Sequence, residues 1–99
     1  MELSLYQIDA FTDQVFKGNP VFLSGKAVKY MEMAEYDKAI YHFNKIATKF
    51  KKDVYSREQI GLCYFYKNDL DNAALAFSNT LTVNGHATLS LYYLGYINL

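Results

Sequence analysis

The sequence predicts a mainly α-helical fold: a short solenoid of about two and a half helical hairpins behind an N-terminal lead-in. Three observations point to it. Residues recur at a spacing of 34: Asp37, Ala39 and Phe43 are answered by Asp71, Ala73 and Phe77, Tyr30 by Tyr64, and Ile60 with Gly61 by Leu94 with Gly95. A fixed period of that size is the mark of stacked helical repeats. From Ser24 onward the apolar residues follow helical spacing, with Ala27, Tyr30, Met31 and Ala34 on one face. Residues 1–22 lack that spacing and end beside Gly18, Asn19 and Pro20, the strongest punctuation in the chain. The chain therefore divides into a lead-in, 1–22, and a repeat region, 23–99.

The lead-in reads in two ways. Imperfect alternation around Leu3, Leu5, Tyr6 and Ile8, then a turn-rich stretch and the apolar Val21 and Phe22, suits a short β-hairpin. An irregular approach to the first helix, or a short helix near 13–17, fits as well. Asn19, before proline, is pushed towards extended or turn geometry.

The first helix is expected from Ser24, a suitable N-cap, to about Ala34. A second spans about 36–50, with its stripe at Ala39, Ile40, Phe43, Ile46, Ala47 and Phe50. Asp37 in its first turn and Lys49 in its last suit the helix dipole. A third covers about 54–66, with Ile60, Gly61, Cys63 and Tyr64 inward. A fourth covers about 70–82 and buries Ala73, Ala74, Phe77, Thr80 and Leu81. Gly85 stands where a left-handed C-cap glycine would stop it. A fifth, about 87–97, offers Leu91, Leu94, Gly95 and Asn98 in the phase of the third.

Composition narrows the function. Ninety-nine residues, 52% hydrophobic, suit one small domain. Formal net charge is zero, so no global field favours nucleic acid or an anionic membrane. The lysines at 45, 49, 51 and 52 read as solvated charge near a helix C-terminus. Cys63 is the single cysteine, which fits a reducing, cytoplasmic setting and core packing. No apolar run is long enough to span a bilayer, and the start lacks the pattern of a signal peptide. His42 has no second ligand at metal spacing, so no metal and no cofactor are expected. Ten tyrosines are many for this length. Those at 41, 66, 92 and 93 are expected at the surface, where clustering on a concave face would make a binding hot spot.

The pattern of Ile60 and Gly61, Tyr64, Ala73, Phe77 and Thr80, met earlier by Ala27, Tyr30, Ala39, Phe43 and Ile46 and begun again at Leu94 and Gly95, resembles the tetratricopeptide repeat (TPR) family over about 23–99. Lys26 stands where that family usually has Leu, Thr80 where it has Ala, and the proline closing each repeat is replaced. The resemblance implies a scaffold with a concave groove that holds a peptide or helix.

Residues 5–20, reading LYQIDAFTDQVFKGNP, are similar to the start of the PhzF-like isomerases of phenazine biosynthesis, and Gly85, His86, Ala87 and Thr88 match a second motif of that family. That resemblance implies a proton-moving isomerase with His86 at its active site. The family's Ser-Glu-Thr segment with the acid/base glutamate does not occur here. One histidine without an acid partner does not make a proton-transfer site.

The reading is a protein-protein interaction module, not an enzyme, with a protein or peptide partner and no role for nucleic acid or membrane. Candidate groove residues, chosen by helix phase, are Lys26, Lys29, Met33, Arg57, Gln59, Tyr66, Tyr92 and Tyr96. The fifth helix has no following partner for its apolar face, so a homodimer through exposed terminal helices is a further expectation. The alternatives are a truncated PhzF-like isomerase and a chimera of the two families with no selected function.

Overall fold

Each described helix packs chiefly on a neighbour along the chain, as short connections between amphipathic helices require. The computed structural model describes residues 23–98. The expected β-hairpin and the PhzF-like segment lie outside them. The described residues form five helices and no strand: α1 (Gly25–Glu32), α2 (Tyr36–Lys49), α3 (Val54–Tyr66), α4 (Leu70–Val83) and α5 (Thr88–Ile97). Packed neighbours joined by three or four residues must run in opposite senses. α3 also touches α5, which places them side by side.

The 34-residue recurrence extends to the backbone. α2 and α4 begin and end 34 positions apart, and so do the starts of α3 and α5. α1 closes with bonds from the Glu35 amide to the Tyr30 carbonyl (2.8 Å) and from Ala34 to Met31 (3.0 Å). α3 closes with the same pair from Asp69 to Tyr64 (2.9 Å) and from Asn68 to Phe65 (3.0 Å). Both ends are Schellman motifs, which need a left-handed residue just past the helix. Ala34 (φ 61°) and Asn68 (φ 68°) take that conformation.

Three local expectations are corrected here. Ala34 is not on the buried face of α1 but in the exposed turn after it. Ser24 precedes α1 but makes no side-chain cap bond, because its own backbone is already helical (φ −86°, ψ −2°). No glycine among the described residues has positive φ, so Gly85 is not a left-handed cap. α4 ends instead in extended Asn84, whose Oδ1 accepts from the His86 amide at 2.9 Å. That side-chain turn reverses the chain without a left-handed residue.

The core follows the small-and-large pattern. Ala27, Ala39, Phe43, Ala73 and Phe77 are fully buried, with Ile40, Ile46 and Ile60 nearly so. Thr80 is also fully buried and satisfies its hydroxyl by donating to the Ala76 carbonyl at 2.9 Å. Asp53 caps α3 by accepting from the Ser56 amide at 2.8 Å, and Asp69 caps α4 by accepting from Asn72 at 3.3 Å. The Asn72 side chain and amide together hold the Asp69 carboxyl below the ordinary carboxylate range. α5 has no such residue at its start, because Ala87 occupies the N-cap. Glu58 of α3 replaces it: its Oε2 accepts from both the amide and the hydroxyl of Ser90, each at 3.1 Å.

Candidate functional site

The last turn of α3 and the exposed side of α5 together build an aromatic ledge. Phe65 is its centre. Its ring lies 5.0 Å from Tyr93 and 5.7 Å from Tyr96, both edge-on, and 5.9 Å from Tyr66. Tyr92 stacks on Tyr93 at 5.2 Å, and Tyr93 stacks on the buried ring of Phe77 at 5.3 Å. Tyr36, the first residue of α2, extends the ledge to Tyr66 at 5.9 Å. Offset and edge-to-face pairs at such distances stabilise the rings beyond the area they bury.

The outer rings are open. Tyr66 is 51% exposed, and Tyr92 and Tyr96 are 60% exposed each. The ledge is therefore held from below by Phe65, Tyr93 and Phe77 and presents three phenol faces to solvent. Burial, with the neighbouring Tyr66 phenol, raises the Tyr93 hydroxyl above the ordinary tyrosine range, so it stays protonated and can donate. α5 carries no charged residue. At the α2 end the ledge meets Lys67, whose ammonium bonds the Asp37 carboxylate across 30 positions. Such a surface stacks planar or apolar groups and offers hydroxyls to backbone amides.

The eight phase-chosen residues fall in different places. Tyr66, Tyr92 and Tyr96 converge on the ledge. Lys26, Lys29 and Met33, with Gly25 and Tyr30, line a cavity of about 480 Å³ on α1. Arg57 lines another, of about 460 Å³, between α2, α3 and α4. Its guanidinium turns to backbone, donating to the carbonyls of Asp53 (2.7 Å), Phe50 (3.1 Å) and Ala47 (3.2 Å). It thereby ties the end of α2 to the start of α3. Gln59 is half-buried on α3. Phe65 and Tyr36 were missed by phase alone. The signal that could find Phe65 is the run of aromatic residues at 64–66 and 92–93, where Phe65 and Tyr93 meet across α3 and α5; no sequence signal singles out Tyr36.

The other singled-out residues are placed as follows. His86 lies exposed in the turn between α4 and α5. Cys63 is fully buried, and burial pushes its thiol up to about 11, an unreactive state at neutral pH. His42 stacks face to face on Tyr30 at 5.4 Å. Lys45 lies over the Tyr41 ring at 4.6 Å and Lys49 over Phe50 at 5.6 Å, so two of the clustered lysines are engaged locally. Among the described residues no group of three or more His, Cys, Asp or Glu could hold a metal ion, and no helix is long and apolar enough to cross a membrane. The chain matches no protein-family model, no curated protein and no solved structure.

Proposed function

We propose that the chain is a protein-interaction module, a short TPR-like solenoid that binds a peptide or helix of another protein on its aromatic ledge, without catalysis. The observation that carries this reading is the clustering of exposed Tyr66 and Tyr96 on Phe65, with exposed Tyr92 joined to them through Tyr93, from two helices adjacent in space but not in sequence. Rigid aromatic anchors with two side-chain torsions lose little entropy on binding and dominate interface energetics. Supported from beneath by Tyr93 and Phe77, the rings are already oriented before a partner arrives. The repeated caps and helix bounds at 34 residues support the TPR-like architecture.

Because the ledge is uncharged, the partner segment it suits is apolar or aromatic with free backbone amides, and binding should depend only weakly on salt. The test is a displayed peptide library selected against the full chain and counter-selected against a Tyr66→Ala/Tyr96→Ala variant. Enriched peptides that lose at least about tenfold in affinity for the variant, while its far-ultraviolet circular dichroism is unchanged, support the reading. Peptides that bind both proteins equally, or no enrichment at all, overturn it.

A further inference from the structure

The bonds that tie Arg57 to the end of α2 do not use up its guanidinium. Nη1 donates to the carbonyls of Asp53 and Phe50, and Nη2 to that of Ala47. A guanidinium carries five N–H donors. The Nε donor and one on Nη2 therefore have no acceptor among the described residues. Arg57 lines the cavity of about 460 Å³ between α2, α3 and α4, so these are donors a ligand there can use. The buried Ala47 and Ile60 give that cavity an apolar side. Lys51, with Asn44, Thr48 and Asn79, lines it with exposed polar groups. None of these four side chains has a hydrogen-bond or ion-pair partner among the described residues. No acidic residue lines the cavity. Asp53, the nearest acid to Lys51 along the chain, has its carboxylate on the Ser56 amide at 2.8 Å.

We propose that this cavity is a binding site for a small organic acid, a free carboxylate carried on a compact apolar body. The charge of the lining selects the anion: Lys51 and Arg57 are both cationic and nothing acidic offsets them. The guanidinium selects a carboxylate, because donors on one rigid planar fork match its two oxygens. Three carbonyls already hold that fork in place, so little side-chain freedom is lost when a ligand binds. Ala47 and Ile60 select the apolar body, which a hydrated inorganic anion does not have. The volume lies within the roughly 300–1,000 Å³ that small-molecule pockets occupy. The site is distinct from the aromatic ledge and shares no residue with it.

The test titrates phenylacetate into the isotope-labelled full chain and follows backbone and side-chain amide shifts. The expected result is saturable shifts centred on Ala47, Arg57, Ile60 and the side-chain amides of Asn44 and Asn79, with a midpoint at about millimolar concentration for so small a probe. Phenylacetamide, which keeps the ring and loses the charge, should bind at least about tenfold more weakly, and so should inorganic phosphate, which keeps charge and loses the ring. Lys51→Met and Asn79→Asp should each weaken phenylacetate by a similar factor. Both side chains are exposed and unbonded among the described residues, so both variants are expected to fold as the parent does. A Tyr66→Ala variant should bind phenylacetate unchanged, which separates failure of this site from failure of the ledge. Equal binding of the amide or of phosphate, equal binding by the Asn79→Asp variant, shifts centred elsewhere, or no saturation would each overturn the proposal.

Discussion

The ring of Phe77 covers Gly61 so closely that a Cβ at Gly61 would stand 2.7 Å from the ring edge. The glycine costs about 1 kcal/mol of helix propensity against alanine, and the close approach of α3 and α4 is what it permits. Gly61→Ala forces a buried ring to move and should destabilise the protein by about 1–3 kcal/mol. Gly95→Ala, the same change 34 residues on, meets open space and should stabilise by up to about 1 kcal/mol. Urea unfolding of both variants checks the pair: two shifts of the same sign would mean that the Gly61 contact does not govern the packing.

Ala34 holds a left-handed conformation that its Cβ resists, while Asn68 holds the equivalent turn with a residue that tolerates it. Ala34→Gly should therefore stabilise by about 0.5–1 kcal/mol, since strain relief exceeds the added freedom of the unfolded chain. Asn68→Ala should destabilise by about as much. At this chain length each kcal/mol moves the thermal midpoint by about 4–8 °C, so a melting curve resolves both signs.

Much of the architecture was legible in the sequence. Alternation of small and aromatic residues at fixed spacing is a local signal, and α2 to α5 begin and end within one residue of where it puts them. The turn chemistry was less legible. Gly85 looks like the left-handed cap, yet Asn84 offers its own side chain to the turn, and Ala34, a poor left-handed residue, is held there by the two bonds that close α1. The site was legible only in part. Helix phase identifies outward residues, but not which helices lie side by side. It therefore brought in Lys26, Lys29 and Met33 on α1, and it could not foresee that three carbonyls at the end of α2 would capture Arg57.

Glu58 substitutes for a missing N-cap on α5, and its partner Ser90 is fully buried. Glu58→Ala leaves the Ser90 amide and hydroxyl without their acceptor and removes a negative charge from a helix N-terminus. The loss expected for such a cap is about 0.5–2 kcal/mol. It should appear first as faster hydrogen exchange in α5, with α2 and α3 little changed. Ser56, 34 positions earlier, is also fully buried, but its hydroxyl has no hydrogen-bond partner among the described residues. Ser56→Ala should consequently be neutral or stabilising where Ser90→Ala is destabilising. Equal losses at the two serines would refute a capping role for Glu58.

His42 links the pH dependence of stability to the α1–α2 contact. Its ring lies flat on Tyr30 and edge-on to Tyr41 (5.2 Å). Burial, followed by the charges of Lys26 and Lys45, lowers its pKa below the ordinary value of 6.5. The folded state therefore binds this proton more weakly than the unfolded state does. Between the folded and unfolded pKa values the unfolded chain carries more protons, so stability must rise with pH through that window. The contribution is fully present above the unfolded value and is lost as pH falls through it towards the folded one. Urea midpoints measured from pH 7.5 down to 5.5 should decline, and His42→Gln should flatten that decline relative to the parent. Replacing Lys45 with Met removes one of the two repelling charges and should move the midpoint of the decline to lower amplitude without abolishing it. A parent curve that rises on acidification, or a His42→Gln curve parallel to the parent, would show that the imidazole is not the titrating group.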